Sequence, residues 1–346
     1  MATADYWSSA DLKGVDHNGL IHEDVLNEIF DISRIPLPLS DMIGSDNVDN
    51  AYTEWTEDKL AQPDTSNANV DGQDASGNDA AGGARIGNHC QILDKVLQVT
   101  QRAQSSDTIG RADELAYQIM MRNREIRRDL EAISLTNQGS QADDGDAVPG
   151  LLGALGAYIT QGDVPVDATG GGFANGVVTA YTPGTKRALT ETMVRDVAQQ
   201  VWEQGGDPSC LMSVPSVVRN LSSYMFTASA RIATLTAETN QESPAKAVGS
   251  VNVFLTDFGV ELKMVPNRLQ QPHDSLGGTT GDAANVYIID PAYLRHGYLE
   301  GFHVEPLAKV GLADQRQISG DVTLKVLNRD AHGKIGDIDI AAAVTA

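Results

Sequence analysis

Tyr52-Thr-Glu-Trp-Thr-Glu-Asp-Lys-Leu-Ala61, then QPDTSNANVDGQDASGNDAAGG over 62–83, then Ala84-Arg-Ile-Gly-Asn-His-Cys-Gln-Ile-Leu-Asp-Lys-Val-Leu-Gln-Val-Thr100: two β-prone arms flank a polar, acidic middle. That middle is rich in Asn, Ser and Gly, with almost nothing apolar to bury. That composition reads as a flexible loop, or as a solvated linker between domains. The flanks differ. Trp55 stands in a polar segment and stays dry only by packing on something. Ile92, Val96 and Val99 mix with polar residues in a loosely alternating, β-branched pattern that predicts a strand. Two extended arms around a flexible tip predict a long hairpin. A long hairpin is unstable alone and needs a surface to lie on, its own chain or a neighbour.

The rest of the chain bounds what that hairpin serves. The 346 residues suit about two domains, or one large domain with extensions. The net charge is −22, and residues 1–80 carry −14 of it, with 17 Asp and Glu against Lys13, Arg34 and Lys59. So acidic a chain argues against sequence-specific nucleic-acid binding and against an anionic membrane surface. The N-terminus has no apolar core of a secretory signal, and no run of about 18 apolar residues predicts a membrane span. Cys90 and Cys210 are too few for a disulfide framework or a zinc site.

A long helix is predicted over Arg111–Asn137. Asp107-Thr108 offers an N-cap, and Leu115, Ile119, Ile126, Leu130 and Ile133 share one face. At 1.5 Å per residue it would be about 40 Å long. Arg122, Arg124, Arg127 and Arg128 lie on the remaining faces. Acids interleave with them, so a salt-bridged solvated or intersubunit face is expected rather than a nucleic-acid patch. The Gly-rich stretches at Gly150–Gly156 and Gly170–Gly172 lack dinucleotide- and phosphate-loop spacings and read as turns.

Thr190 caps a second predicted helix, Leu189–Gln204, with Met193, Val194, Val197, Val201 and Trp202 as its buried stripe. Cys210–Val214 reads as a buried strand, and Pro215 opens a helix to about Met225. Strands follow at Ser250–Leu255, Gly259–Pro266, Asn285–Ile289, Gly301–Leu307 and Gly320–Leu327. The expected class is α+β, with an antiparallel sheet in the second half.

No catalytic, cofactor-binding or metal site emerges. None of the seven histidines has metal-ligand spacing, there is no Gly-x-Ser-x-Gly, and neither cysteine sits in a nucleophile signature. No enzyme and no cofactor is expected.

An acidic arm, a long hairpin, a long helix and then α+β resembles the major capsid protein fold of tailed phages, the Hong Kong 97 type. The residues resemble the branch of SU-ten-type phages. Glu54-Trp55-Thr-Glu-Asp58-Lys-Leu60 is similar to the family segment that opens the extended loop, and Arg85-Ile-Gly-Asn88-His-Cys-Gln91-Ile92 to the one that closes it. The helix carries Asp113-Glu114, Gln118, Arg128-Asp129 and Glu131, and Gly150-Leu151-Leu152 follows. Thr256-Asp257-Phe258-Gly259, Asn267-Arg268, Asp290-Pro291, Leu307–Gly311 and Asn328-Arg329-Asp330-Ala331-His332-Gly333 complete the match.

The resemblance implies a parts list. Residues 1–50 are an N-terminal arm and 51–103 an extended β-hairpin loop. Residues 104–149 are the spine helix of a peripheral domain and its following loop. Residues 150–285 are mostly the axial domain, and 286–346 are strands returning through both domains. It implies a major capsid protein that self-assembles into hexamers and pentamers of an icosahedral shell around packaged double-stranded DNA. Such a shell is assembled in the host cytoplasm and carried in the virion. A separate scaffolding protein, a portal and a cement or decoration protein are the implied partners. Trp55, Leu60, Arg85, Asn88, Arg122, Arg124, Arg127 and Arg128 are the expected intersubunit contacts. The Lys–Asn cross-link of some members is not carried over; Lys59 and Asn328 would be the only pair to name. An encapsulin-type nanocompartment shell is the alternative within the fold, and a soluble enzyme or binding module with an acidic linker the alternative outside it. A projecting arm and loop also predict an exposed area well above the roughly 14,000 Å² of a compact monomer of this mass.

Overall fold

The run Ala-Ala-Asn-Val-Tyr-Ile-Ile over Ala283–Ile289 is buried from end to end, and its two faces enter two different cores. Tyr287 and Ile289 point into one, Ala284, Val286 and Ile288 into the other. A strand covered on both faces reads as continuous apolar sequence because its period of two has no solvent side.

The computed structural model describes residues 36–61, 63–74, 77, 82–106, 113–230, 252–309 and 311–345. Most of the expected N-terminal arm, parts of the loop tip, the expected cap Asp107-Thr108 and the start of the strand expected at Ser250 lie outside these residues. The elements are α1 (Pro38–Met42), β1 (Gly44–Asn47), β2 (Tyr52–Glu57), β3 (Ala84–His89), β4 (Gln91–Thr100), α2 (Gln101–Ser105), α3 (Glu114–Ser134) and α4 (Leu155–Tyr158). There follow β5 (Gly162–Asp163), β6 (Thr169–Ala174), β7 (Val177–Thr182), α5 (Glu191–Glu203), β8 (Cys210–Ser213) and α6 (Pro215–Ala230). The chain ends with β9 (Val253–Leu255), β10 (Glu261–Pro266), β11 (Ala283–Ile289), β12 (Leu294–Pro306), β13 (Ala313–Val326) and β14 (Gly333–Asp339).

Two sheets organise them. The first has the order β1-β12-β13-β4, and the second β5-β14-β11-β8-β10-β9. Helix α3 lies against the first sheet, through Ile126 and Leu130 on Leu93, Leu97, Ile318 and Val322. Helices α5 and α6 close the far face of the second, with Val194, Val197, Val217 and Leu221 on Leu211, Val286, Ile288 and Ile335. The second sheet is mixed, not antiparallel: β10 runs parallel to β8, and β14 to β5.

Several expectations need correction. The hairpin is only six residues deep, with Tyr52 opposite His89 and Glu57 opposite Ala84. After Cys90 the second arm leaves it, and β4 pairs with β13 over its full length. The long helix, α3, starts at Glu114 and ends at Ser134, about 31 Å long. Its cap is Asp113, whose carboxylate accepts from Ala116 N at 3.0 Å. Asn137 is not its terminus but clasps the β7 backbone at Tyr181, donating to its carbonyl and accepting from its N–H.

Gly170–Gly172 is no turn. It is the inner part of β6, paired with β7 around the left-handed Asn175-Gly176 turn, which is the hairpin signal of the segment. All three glycines have φ between +78° and +94°, a region closed to side chains. The Gly150–Gly156 stretch contains part of α4, which is buried throughout. Trp202 is 51% exposed rather than in the α5 stripe; it stacks on Phe258 at 5.7 Å instead, and Ala198 takes its inward place. The last two expected strands begin too late, because Gly297, Gly301 and Gly320 interrupt the apolar pattern of β12 and β13. Gly320 is required there: a Cβ would lie 2.5 Å from the Phe302 ring that packs over it. The whole chain exposes 21,687 Å², well above the compact value.

Candidate assembly joints and contact surfaces

The motif residues of the extended loop are held by their own chain. Trp55 Nε1 donates to Val326 O at 2.9 Å, and its indole stacks near Tyr158, 6.2 Å between centroids. Glu57 accepts from Arg329 N at 3.0 Å and from its Nε at 3.2 Å. Burial pushes the Glu57 carboxyl upward, and those arginine bonds oppose the shift. Lys59 pairs with Asp330 and donates to Gln204 Oε1 at 3.1 Å. The Asn328 amide oxygen meanwhile accepts from Asp330 N, so Lys59 and Asn328 each have other partners. Arg85 pairs with Glu54 across the hairpin. Leu60, just beyond this base, is 98% exposed.

Asn88 corrects its expected role, because it is fully buried and its side chain is used up inside the chain. Its Nδ2 donates to Gly153 O at 2.9 Å and Leu324 O at 2.7 Å. Its Oδ1 accepts from Gly153 N at 2.7 Å and His89 N at 3.0 Å. Three elements far apart in sequence are thus fixed by one amide. Gln91 does the same more weakly, its Oε1 accepting from Gln138 Nε2 and Leu152 N.

On the spine helix, Arg124 and Arg127 are exposed while Arg122 and Arg128 are half-buried. Arg122 pairs with Glu125. Asp129 takes Lys95 at 2.5 Å, which ties the helix to β4. A groove of about 850 Å³ runs between α1–β1, α3 and β12, lined in part by Leu37, Asp41, Arg127, Tyr298 and Phe302. One turn beyond Arg127, Glu131 is buried. Its Oε1 accepts from Leu39 N and Asn267 Nδ2, both at 2.7 Å, and its Oε2 from Ser40 N and Ser40 Oγ at 2.8 and 2.6 Å. Sequence reasoning had Glu131 and Asn267 as separate motif residues; nothing in their spacing says that they meet.

Burial is the first cause of the shifts at both cysteines, His296, His332 and Lys334. The thiols of Cys90 and Cys210 are both pushed up to about 12 by desolvation, so they stay protonated and inert at neutral pH. His296 and His332 are pulled down to about 4 and about 3 for the same reason. Lys334, drawn down to about 8 by burial, donates to Gly156 O at 2.8 Å and lies 3.7 Å from the Tyr181 ring centre. Beside it His273 meets Asp337 at 2.7 Å. This polar seam ties α4 and β7 to the second sheet, and each member has a structural partner. Among the described residues no cluster of His, Cys, Asp and Glu could hold a metal ion, and no helix is long and apolar enough to cross a membrane.

Comparison with known proteins gives these joints a setting. The sequence model of the SU10 major capsid protein family matches residues 7–339. The major capsid protein of Escherichia phage Phieco32 is 26% identical over 338 residues, covering 89% of this chain and 91% of that one. Among solved structures, the capsid of the native GTA particle superposes with a TM-score of 0.57 at 13% identity, covering 94% of this chain and 97% of the other. The capsid of cyanophage P-SCSP1u gives 0.56 at 12% identity, covering 96% and 99%. The SrpI encapsulin of Synechococcus elongatus PCC 7942 gives 0.54 at 12%, covering 96% and 98%. These structural likenesses establish the capsid fold, and the family match over nearly the whole chain goes further: the chain belongs to the SU10 major capsid protein family, as a structural subunit of a phage head shell and not an enzyme.

Proposed function

We propose that the subunit forms pentamers and hexamers of an icosahedral shell around packaged double-stranded DNA, assembling in the host cytoplasm with a separate scaffolding protein, a portal and a cement protein. Residues 1–50 act as the arm, 51–103 as the extended loop, 104–149 as the spine segment, 150–285 mostly as the axial domain and 286–346 as returning strands. The observation that carries this reading is how the loop is held. Its base is pinned by Trp55, Glu57 and Lys59, while Leu60 and Val70 beyond are exposed. A loop clamped at its root, with single apolar side chains exposed on an otherwise acidic and polar free part, is built to lie on something else, and in a shell that is a neighbouring subunit.

Leu60, Arg85, Arg124 and Arg127 are the intersubunit contacts this arrangement favours. Trp55, Arg122 and Arg128 support them from within the chain. The acidic balance suits a wall that does not grip the packaged DNA, since phosphate-binding basic patches would oppose dense packing. An encapsulin-type compartment shares the fold, but the family match favours the virion. Negative-stain electron microscopy of the purified chain, and of particles from infected cells, tests the reading. Closed shells that contain DNA are expected; closed shells with protein cargo and no DNA mean a nanocompartment, and a monomer that never assembles overturns both.

A further inference from the structure

Glu131 stands out because it is a fully buried carboxylate whose four donors are all neutral. An ionised carboxylate is acceptor-only, with about four lone-pair sites, and here every one is filled. Two of the donors are backbone N–H groups in the first turn of α1, at Leu39 and Ser40. That helix has five residues, and Leu37 gives it no side-chain cap. Glu131 supplies the missing cap from 92 residues away. The fourth donor, Asn267, is itself fixed: its N–H donates to Ser213 O on β8 at 2.9 Å, and its Oδ1 accepts from Leu269 N at 2.9 Å. One carboxylate therefore joins the root of the N-terminal segment, the spine helix and the second sheet.

We propose that Glu131 is a positioning residue for shell assembly. It fixes α1, at the start of the described chain, relative to helix α3 and the second sheet. The proposal rests on the shell reading. Neither core depends on it for apolar contacts, so neutralising it uncouples the three parts while each stays folded. Glu131→Gln keeps the shape but turns an NH₂ toward two donors, which removes either the Leu39 cap bond together with the tie to Asn267 or the Ser40 cap bond.

The test uses the full chain, amide hydrogen exchange and electron microscopy. In Glu131→Gln, peptides spanning Pro36–Ile43 are expected to exchange at least about tenfold faster, while those of β8 and β11 keep their protection. Where the wild type closes, the variant gives open or mixed-size particles. A residue that merely stabilised the fold would lower protection in both cores together, and that result overturns the proposal, as does unchanged exchange at Pro36–Ile43. Should Glu131→Gln fail to fold, Ser40→Ala and Asn267→Ala each remove one neutral donor. Ser40→Ala is expected to speed exchange at Pro36–Ile43 about threefold, and each to widen the particle size distribution. Normal exchange in Ser40→Ala, or normal particles in both, overturns the proposal. If the wild type forms no shells, the shell reading and the assembly role fall together, and the exchange contrast then shows only an intrachain joint.

Discussion

Asn88 offers the sharpest measurement of how the loop is fastened to the body. Replacing it by Ala deletes an amide that serves Gly153 N, Gly153 O and Leu324 O, at 2.7, 2.9 and 2.7 Å. The site is fully buried, so water does not replace the lost partners without opening the packing. Each orphaned backbone group costs about 1–3 kcal/mol. Discounting for the second lone pairs of the carbonyls, Asn88→Ala should destabilise the subunit by about 3–5 kcal/mol. With a urea m-value of about 3 kcal/mol/M, the midpoint falls by about 1–1.7 M, m being unchanged, and a larger m shrinks that shift in proportion. Asn88→Asp adds a signature in pH. Its second oxygen faces two carbonyl oxygens, so the folded state favours the protonated acid and the carboxyl pKa rises above its unfolded value. The native state then holds its proton longer than the unfolded chain, and stability is lost as pH rises through the carboxylate range. The deficit of Asn88→Asp relative to wild type should be smaller at pH 4 than at pH 7. A midpoint shift below about 0.3 M for Asn88→Ala, or a pH-independent deficit for Asn88→Asp, refutes the reasoning.

Three further outcomes are expected. Lys334 sits near pKa 8 when folded against 10.5 as a free side chain. The native state therefore loses its proton first, and stability relative to Lys334→Met should rise between about pH 8 and 10, as urea midpoints at stepped pH will show. His296 and His332 are held near 4 and 3 against 6.5, so below pH 6.5 the unfolded chain binds protons that the native one does not. Thermal midpoints should fall from pH 6.5 toward 4, and less steeply in His296→Phe with His332→Gln; equal slopes would count against it. Trp55→Phe loses the bond to Val326 O, worth about 1 kcal/mol, and trypsin should cut after Lys59 about fivefold faster.

Much of the element inventory was legible because it rests on local rules. Thr190 and Pro215 announced their helices, and the structure places α5 and α6 behind them. The spine helix was legible as a periodic face, but its start was not: Asp113, two residues past the expected start at Arg111, makes the cap. The glycines of β6, β12 and β13 concealed strands, since a glycine tolerated for a close approach looks the same in sequence as one in a turn. Trp202 was assigned inward from spacing alone, and only the neighbouring Phe258 explains why it stays at the surface.

Residue order alone was enough for the family, the absence of catalytic spacing, the hairpin's place in the chain and most of the buried stripe of each main helix, Trp202 excepted. These depend on residue order, capping and periodicity, which act over a few residues at a time. The tertiary structure alone decided that β4 abandons the hairpin for β13, that Asn88 faces inward to Gly153, and that Glu131 meets Ser40 and Asn267. Those pairings span from 65 to more than 200 residues. A hydrogen-bonding side chain specifies what its partner must be but not where in the chain it lies; that is settled only when the two cores close around it and leave each buried polar atom its place.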